Sequence, residues 1–211
     1  NRRSRGLGDV YKRQDIHGLK AAIAHVKNVE EYSQRILKPL ENGLVKTNPD
    51  HSRNIIILDG NLTHATLLKI AENKKLMNND VRIASASTSK AIRLKPFLSL
   101  PNVTIYCNKT EAENLCEVSF KNTTQASTYL VKKGVGRAIV TNGDQSICDS
   151  SINHEPISIL PPKVKSIRHV TGAGDYFLAC HVTNEIKQST KVKALSQAAV
   201  SASKYVETEI K

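Results

Sequence analysis

Short apolar runs alternate along the chain with longer stretches in which apolar residues recur every three or four positions. The clearest run is NIIILDGN at 54–61, a continuous apolar segment that ends in turn residues and predicts a strand buried on both faces. Five further runs predict strands, the last two short and antiparallel: 81–85, 103–107, 137–141, 146–150 and 157–161. The other periodic stretches predict helices: 29–41, 64–77, 90–95, from about 110, 124–134, from the turn at 171–175 to about 188, and 190–206.

This alternation of strand and helix predicts an α/β fold with a mostly parallel central sheet and helices on both faces. A chain of 211 residues can bury a sizeable core as one domain. We expect Pro96 to stop the 90–95 helix and Gly134 to end the 124–134 helix. Thr63 should cap the helix at 64–77, whose predicted inner face consists of Ala65, Leu67, Leu68, Ala71 and Leu76.

Polar residues follow four of the predicted strands at the point where each strand ends. In sheets of this kind, ligands bind at the carboxyl ends of the strands, so we expect these residues to border a site. Each group alone is also a common turn former, and only their shared placement favours a site. The residues are Asp59 and Asn61, Ser85 and Ser87, Asn108 and Glu111, and Thr141, Asn142 and Gly143.

The stretch RHVTGAGDYFLAC at 168–180 combines a small-residue turn with an apolar run that can open a helix. Free N–H groups at a helix start, together with the helix dipole, favour an anion such as a phosphate. Gly172 and Gly174 would let the backbone approach that anion closely. Asp175 is the one carboxylate in the turn and is a candidate base for an attacking hydroxyl. A plain turn followed by a helix start is the structural alternative.

The net charge of +12 raises the question of nucleic-acid binding. The basic residues are spread along the chain, and only 4% of residues are aromatic, so we interpret the charge as solvated surface and expect no nucleic-acid partner. No run reaches the roughly 18 apolar residues of a membrane span, and we expect no membrane partner. The four cysteines form no CxxC pair and are typical of reduced thiols in a cytoplasmic protein.

Residues 1–14, NRRSRGLGDVYKRQ, have five basic residues and one acidic residue and look foreign to the rest of the chain. They resemble a translated adapter sequence. A targeting peptide is the alternative, although the segment lacks an apolar core and a good amphipathic face. We therefore expect residues 1–14 to be disordered or arbitrary and the domain to occupy residues 15–211.

The motif VTGAGDYF resembles the C-terminal signature of the ribokinase-like, or PfkB, carbohydrate kinases, roughly DTxGAGDxF, with His169 in place of the family's Asp. The resemblance implies a three-layer α/β/α sandwich that transfers a phosphoryl group from ATP to a sugar or nucleoside hydroxyl. It implies that Asp175 is the catalytic base and that Thr171 contacts ATP. The anion hole would be formed by Gly172, Ala173 and Gly174.

Two further motifs resemble the same family. Asn108-Lys109-Thr110-Glu111 matches its NxxE motif, which implies that Asn108 and Glu111 hold Mg²⁺ through water, although a helix capping box is the structural alternative. VTNGD at 140–144 resembles the family's strand and turn that contact ATP, which implies ATP contacts for Thr141, Asn142 and Gly143. The resemblance also leaves room for a monovalent cation and for a homodimer of the full-length protein.

Three segments narrow the resemblance to pseudouridine kinases: DIH at 15–17, ILDGNLT at 57–63 and ASASTSKAIRL at 84–94. The acceptor would then be the 5′-hydroxyl of pseudouridine, with Asp59 and Asn61 as remnants of the sugar site. The family's first signature, a Gly-Gly turn with a nearby Asn, is missing, and we expect the N-terminal part and the small β lid to be missing as well.

The sequence is also compatible with other functions. A different sugar or nucleoside kinase of the ribokinase or adenosine kinase type is one alternative, and a non-catalytic basic binding fragment is another. The chain has no GxxxxGK[ST], HExxH or GxSxG motif, and GVG at 134–136 lacks a third glycine. P-loop, dinucleotide-binding, zinc hydrolase and serine hydrolase functions are therefore not indicated.

Overall fold

The computed structural model describes residues 9–15, 18–25, 31, 32, 35, 37–39 and 54–208. Its strands are β1 (Asp9–Asp15), β2 (Gly18–His25), β3 (Ile55–Asp59), β4 (Asp80–Ala84), β5 (Val103–Asn108), β6 (Arg137–Thr141), β7 (Ile147–Ser151) and β8 (Ile157–Ile159). Its helices are α1 (His64–Glu72), α2 (Lys74–Met77), α3 (Thr88–Ala91), α4 (Lys109–Cys116), α5 (Thr123–Lys133), α6 (Ala173–Ile186) and α7 (Lys191–Glu207). A 3₁₀ helix (Ile92–Phe97) follows α3 directly.

The central sheet has six strands in the order β3-β4-β5-β6-β7-β8, so each strand lies beside its neighbour in sequence. The pairs from β3 to β6 are parallel, and β6-β7 and β7-β8 are antiparallel. The sheet confirms the predicted α/β fold, the four predicted parallel strands and the antiparallel pair that follows them. Among the described residues, no helix is long and apolar enough to cross a membrane.

Side chains of alternate residues in the central strands point to opposite faces of the sheet, which gives the molecule three layers. On one face, Ile105 and Val140 belong to a buried cluster with residues of α1 to α5, such as Leu67 and Leu130. On the other face, the neighbouring Tyr106 and Ile139 pack with Phe177 and Val182 of α6 and with Leu195 of α7. The predicted α/β/α sandwich is therefore present.

Two predicted helices, 64–77 and 90–95, differ from the structure in where they end. The 64–77 helix is divided at Asn73, whose Oδ1 accepts hydrogen bonds from the N–H groups of Lys75 (3.1 Å) and Leu76 (3.2 Å) and so starts α2. Thr63 does cap α1. The predicted inner face is wrong at Ala65 and Leu68, which are exposed, and the sequence analysis missed the buried Thr66 and Ile70.

The chain also continues past the expected stop at Pro96. The 3₁₀ helix includes Pro96 and ends at Phe97. Leu94 and Phe97 are fully buried and lie three residues apart, which is the 3₁₀ repeat. Burial of these two side chains favours the tighter helix over an earlier stop.

The N-terminal predictions are only partly covered by the described residues. Strands β1 and β2 pair antiparallel, so residues 9–14 lie in a strand, and the expectation that residues 1–14 are disordered or arbitrary stays a prediction. The foreign origin of residues 1–14 and the domain start at residue 15 stay predictions. Within the predicted 29–41 helix, residues 31, 35 and 37–39 are helical, and the remaining positions, apart from Tyr32 in a turn, lie outside the described residues.

Candidate active site

The carboxyl ends of β3 to β6 bring the predicted polar residues to one edge of the sheet. Asp59 pairs with Ala84 across β3 and β4, and Asn108 pairs with Thr141 across β5 and β6. Parallel strands in this register end at the same edge. The structure therefore places the four polar groups as the sequence predicted, along one border.

Helix α6 runs antiparallel to these strands, which places its first turn at the same border. Near its C-terminal end, Glu185 contacts Arg82 in the middle of β4 and Arg137 at the start of β6. Asp175 precedes Glu185 by ten residues, or about 15 Å along a helix, which is close to the length of a five-residue strand. Asp175 is consequently carried to the edge where Asn108 and Thr141 end their strands.

The glycine turn has the geometry of a tight helix entry. Gly172 precedes the first helical residue with φ of +87°, a left-handed value that favours glycine. The N–H of Ala173 donates to the carbonyl oxygen of Val170 (3.2 Å), so its place in the anion hole stays a prediction. The N–H of Gly174 has no hydrogen-bond partner among the described residues, and a Cβ at this position would meet nothing within 4 Å. Gly174 is therefore open to an approaching anion.

Asp175 is exposed in the first turn of α6. The dipole of α6 favours a carboxylate at this position, and a carboxylate can act as a proton acceptor. Thr171, the predicted ATP contact before the turn, has its carbonyl oxygen bonded to the hydroxyl of Tyr205 (2.9 Å). The sequence analysis missed Tyr205, because no local pattern indicates a contact across 34 residues.

The NxxE motif forms the capping box that was its structural alternative. Asn108 Oδ1 accepts from the Glu111 N–H (2.9 Å), and Glu111 Oε2 accepts from the Asn108 N–H (2.8 Å). The hydroxyl of Ser85 also donates to Glu111 Oε2 (2.5 Å). Glu111 Oε1 keeps no partner among the described residues. The motif thus joins the ends of β4 and β5 and leaves one carboxylate oxygen for a further ligand.

These donors fit a hydrated magnesium ion chemically, since Mg²⁺ prefers carboxylate and amide oxygens and retains several waters. The described residues contain no cluster of three or more His, Cys, Asp or Glu side chains that would bind a metal directly.

The predicted sugar-side residues form a compact turn. Asp59 accepts from the N–H of Asn61 (2.8 Å) and from its side-chain Nδ2 (3.1 Å). Lys90 Nζ donates to Asn61 Oδ1 (2.7 Å), a contact that the sequence did not indicate. Asp59 remains exposed, so it can still meet a ligand at this edge.

The predicted ATP turn follows β6. Gly143 has φ of +57°, and the N–H of Gln145 donates to the Asn142 carbonyl (2.9 Å), which closes the turn between β6 and β7. Thr141 and Asn142 are partly buried, and a Cβ at Gly143 would meet nothing within 4 Å. The backbone of this turn is accessible from the site edge.

A network of buried charges holds α6 from the opposite edge. Arg137 donates to both oxygens of Asp149 (2.8 and 2.6 Å) and to Glu185 Oε1 (2.6 Å). Burial alone would raise the pKa of Glu185, but the charge and hydrogen bond of Arg137 outweigh it and lower that pKa. Burial lowers the pKa of His181, which is fully buried one turn before Glu185, to about 4. At neutral pH, His181 is consequently uncharged.

A cavity of about 320 Å³ opens beside this network, at the amino ends of β4 to β6. Asp80, Arg82, Gly136, Arg137 and Lys191 are among its lining residues. The cavity lies at the edge opposite the glycine turn, and none of the predicted site residues lines it.

Comparison with known proteins identifies the family. The family model described as "pfkB family carbohydrate kinase" matches residues 24–209. No curated protein sequence matches the chain.

Among solved structures, a carbohydrate kinase from Agrobacterium tumefaciens has 21% identity and a TM-score of 0.70 over 95% of this chain and 62% of its own. Arabidopsis thaliana ribokinase complexed with ribose and ATP has 20% identity and a TM-score of 0.61 over 74% of this chain and 50% of its own. Anopheles gambiae adenosine kinase has 14% identity and a TM-score of 0.60 over 76% of this chain and 56% of its own. The chain thus spans between half and about three fifths of the length of these kinases. The fold is that of ribokinase-like proteins, and the chain belongs to the pfkB family of carbohydrate kinases.

Proposed function

We propose that this chain carries the ATP side of a kinase that transfers the γ-phosphoryl group of ATP to a hydroxyl of a sugar or nucleoside. The observation that carries the proposal is the first turn of α6. It presents the Gly174 N–H and the exposed Asp175 at the sheet edge where β5 and β6 end in Asn108 and Thr141. An anion-binding turn with a base beside it is what phosphoryl transfer to a hydroxyl needs.

In the proposed reaction, the acceptor hydroxyl oxygen bonds to the γ-phosphorus as the bond from that phosphorus to the β–γ bridging oxygen breaks. ADP leaves with the electrons of the broken bond, and the hydroxyl proton passes to the Asp175 carboxylate. The N–H groups of Gly172 and Gly174 face the charge on the transferred group, with Ala173 joining them if its bond to Val170 opens. Such a loose transition state needs positioning and charge neutralisation more than a strong base.

The turn at Thr141, Asn142 and Gly143 and the residue Thr171 would hold ATP on the other side of the transferred group. The Arabidopsis ribokinase structure compared above is a complex with ribose and ATP, which supports ATP as the phosphoryl donor. When bound, Mg²⁺ would neutralise charge on the phosphate oxygens. Glu111 Oε1 and Asn108 would orient its waters, and a monovalent cation remains a further proposal of the family resemblance.

We propose pseudouridine as the acceptor, through its 5′-hydroxyl. The segments at 57–63 and 84–94 support this choice, and the structure joins them through the bond from Lys90 to Asn61 (2.7 Å). Asp59 and Asn61 would then contact the sugar. Another sugar or nucleoside acceptor is the alternative, since both ribokinases and adenosine kinases share the fold.

We also propose a cytoplasmic location and a homodimer for the full-length protein. Cys107, Cys116, Cys148 and Cys180 are all free thiols, which supports a reducing compartment. The pKa of buried Cys107 is raised well above its ordinary value by burial, so this thiol is unreactive.

The test measures ADP release by a full-length version of the protein with a panel of acceptors: pseudouridine, uridine, adenosine and ribose. The proposal expects acceptor-dependent ADP release, with pseudouridine preferred. Release that depends on ribose or adenosine alone would replace pseudouridine and keep the kinase. Absence of acceptor-dependent release from a full-length version that binds ADP would contradict the proposed transfer.

A further inference from the structure

Tyr205, in the last turn of α7, contacts the glycine turn at its narrowest point. Its hydroxyl donates to the carbonyl oxygen of Thr171 (2.9 Å). A Cβ added to Gly172 would lie 2.7 Å from the same hydroxyl oxygen, so the two residues touch directly. The tyrosine therefore fills the space that only a glycine leaves open here.

The ring of Tyr205 also contacts residues on both sides of the turn. The ring of His169 meets it edge-on, with ring centroids 4.5 Å apart, and the ring of Tyr176 stacks on it at 5.0 Å and 19°. His169 precedes the turn and Tyr176 directly follows Asp175. One side chain thus bridges the entry and the exit of the turn that carries the proposed base.

Backbone contacts fasten the preceding segment to the same end of α7. The carbonyl oxygen of Val206 accepts from the N–H groups of Arg168 (2.9 Å) and His169 (3.3 Å). The side chain of Glu207 accepts from the N–H of Lys165. These contacts fix the chain up to His169, and the bond from Tyr205 to Thr171 extends the attachment to α7 into the turn itself.

We propose that Tyr205 is a positioning residue that holds the Thr171–Gly174 turn in the shape in which its N–H groups and Asp175 face the transferred group. This inference rests on the proposed function. It assigns Tyr205 no contact with ATP or acceptor, and its effect is exerted through the carbonyl of Thr171 and the Cα of Gly172.

The first experiment compares Tyr205→Phe with Tyr129→Phe, a matched loss of a hydroxyl in α5, where the Tyr129 ring packs on Phe120 at 5.3 Å. Amide hydrogen exchange of the 170–176 segment is measured in both variants. Loss of one hydrogen bond should speed exchange there about three- to tenfold in Tyr205→Phe, and not in Tyr129→Phe. Equal exchange in both variants would overturn the proposal.

The kinetic readout separates positioning from general stability. In Tyr205→Phe, kcat should fall about three- to tenfold while KM for the acceptor stays unchanged. A rise in KM for the acceptor with an unchanged kcat would place Tyr205 in the acceptor site and contradict the proposal. These kinetics are measured in a full-length version of the protein. If that wild-type protein shows no turnover, the proposed function is in question, and the exchange comparison still decides the role of Tyr205.

A second pair of variants tests the contact with Gly172. Gly172→Ala should speed exchange of the turn, because its Cβ meets the tyrosine hydroxyl and the left-handed backbone disfavours alanine. In the double variant Gly172→Ala/Tyr205→Phe, the nearest remaining atom is the ring carbon Cζ at 3.4 Å. The two effects should therefore combine to less than their product. Independent effects would show that Tyr205 and Gly172 do not act together.

Discussion

Glu111 is the residue at which a structural and a catalytic role meet. One of its oxygens already accepts from the Asn108 N–H and the Ser85 hydroxyl, so the carboxylate has a fixed orientation. A carboxylate held in this way can direct its other oxygen toward a hydrated cation at no further cost in side-chain freedom. The capping box and the proposed metal contact are consequently compatible.

We expect Glu111→Gln to raise the magnesium concentration needed for the half-maximal rate, because an amide attracts cation-bound water less strongly than a carboxylate. The measurement is a magnesium titration of ADP release by a full-length version of the protein. Glu72→Gln, at the exposed end of α1, is the control. An unchanged magnesium curve would leave Glu111 with its capping role only.

Asp175→Asn tests the proposed base. In a full-length version of the protein, the substitution removes the proton acceptor and keeps the shape of the turn, so kcat should fall by at least about 100-fold while nucleotide affinity hardly changes. Turnover and calorimetric ADP binding are measured together, with Glu155→Gln in the exposed β7–β8 loop as the control. Wild-type turnover in Asp175→Asn would remove this residue from the role.

Among the elements, α6 connects the two edges of the sheet. Its first turn carries Asp175, and its last turn carries Glu185, which pairs with Arg82 and Arg137. The side chains of Glu185, Arg82 and Arg137 are only 15%, 8% and 13% exposed. A buried carboxylate shared by two buried guanidinium groups fixes where the helix lies along the strands.

Glu185→Ala should lower the free energy of unfolding by about 3 to 5 kcal/mol, because it leaves two buried cations without a shared partner. Denaturant unfolding measures the change. Glu117→Ala is the matched control, since Glu117 pairs with Lys95 on the surface and is 69% exposed. That control should lose less than about 1 kcal/mol. Equal losses in the two variants would contradict the role given to the network.

His181 makes the stability of the same helix depend on pH. Burial lowers its pKa to about 4 in the folded protein, against 6.5 as its ordinary value, with Glu185 partly opposing the shift. Between these values the unfolded chain binds the extra proton, so stability falls as pH drops from about 6.5 to about 4. Charged or titratable groups around the ring are Glu185, Arg137, Asp149, Arg82 and Tyr106.

We expect the free energy of unfolding to decrease by up to about 1.4 kcal/mol per pH unit in this window through His181 alone. Denaturant unfolding at pH 7, 6 and 5 measures the slope. His181→Asn keeps an acceptor for the Tyr106 hydroxyl, which lies 3.0 Å from His181 Nδ1, and should flatten the slope. An identical slope in both proteins would assign the pH dependence to other groups.

At the scale of the whole molecule, the sequence predicted what depends on local periodicity. Continuous apolar runs such as 103–107 predicted only strands, and all six strands of the central sheet were predicted. The limits of helices were less predictable, because the Asn73 side chain and the burial of Phe97 decide them. The residues that hold the site in place, Tyr205 and Glu185, act across long separations that no local pattern reveals.

The proposed site also contains features that the sequence predicted and features that it did not. The turn at 171–175 and the strand-end residues could be predicted, because each is a short motif at the predicted end of a strand or start of a helix. The hydrogen bonds that satisfy them, such as Lys90 to Asn61, depend on how two loops meet. The loss of the family's N-terminal part and β lid stays a prediction.

The chain spans only 50 to 62% of the kinases compared above, and this sets an expectation for the whole molecule. We expect the 211-residue chain to bind ADP weakly and to phosphorylate nucleosides at no useful rate, because it contains the ATP-side motifs and only Asp59 and Asn61 as predicted sugar-side residues. Calorimetry with ADP and transfer of radiolabelled phosphate to pseudouridine measure the two parts.

Two results would change this expectation. Robust transfer to pseudouridine would show that the described strand ends suffice for the acceptor. RNA binding that weakens steeply with salt, in a chain without ADP binding, would instead favour a basic binding fragment.

The order of the central sheet has a consequence for how the site is assembled. Each strand lies beside its sequence neighbour, so strands can join one after another as the chain leaves the ribosome, with short loop closures at each step. Tyr205 arrives after every other part of the site is in place, and only then is the glycine turn held. Nascent chains that end before α7 would thus carry the strand-end residues on a formed sheet, while competence for phosphate awaits the final helix.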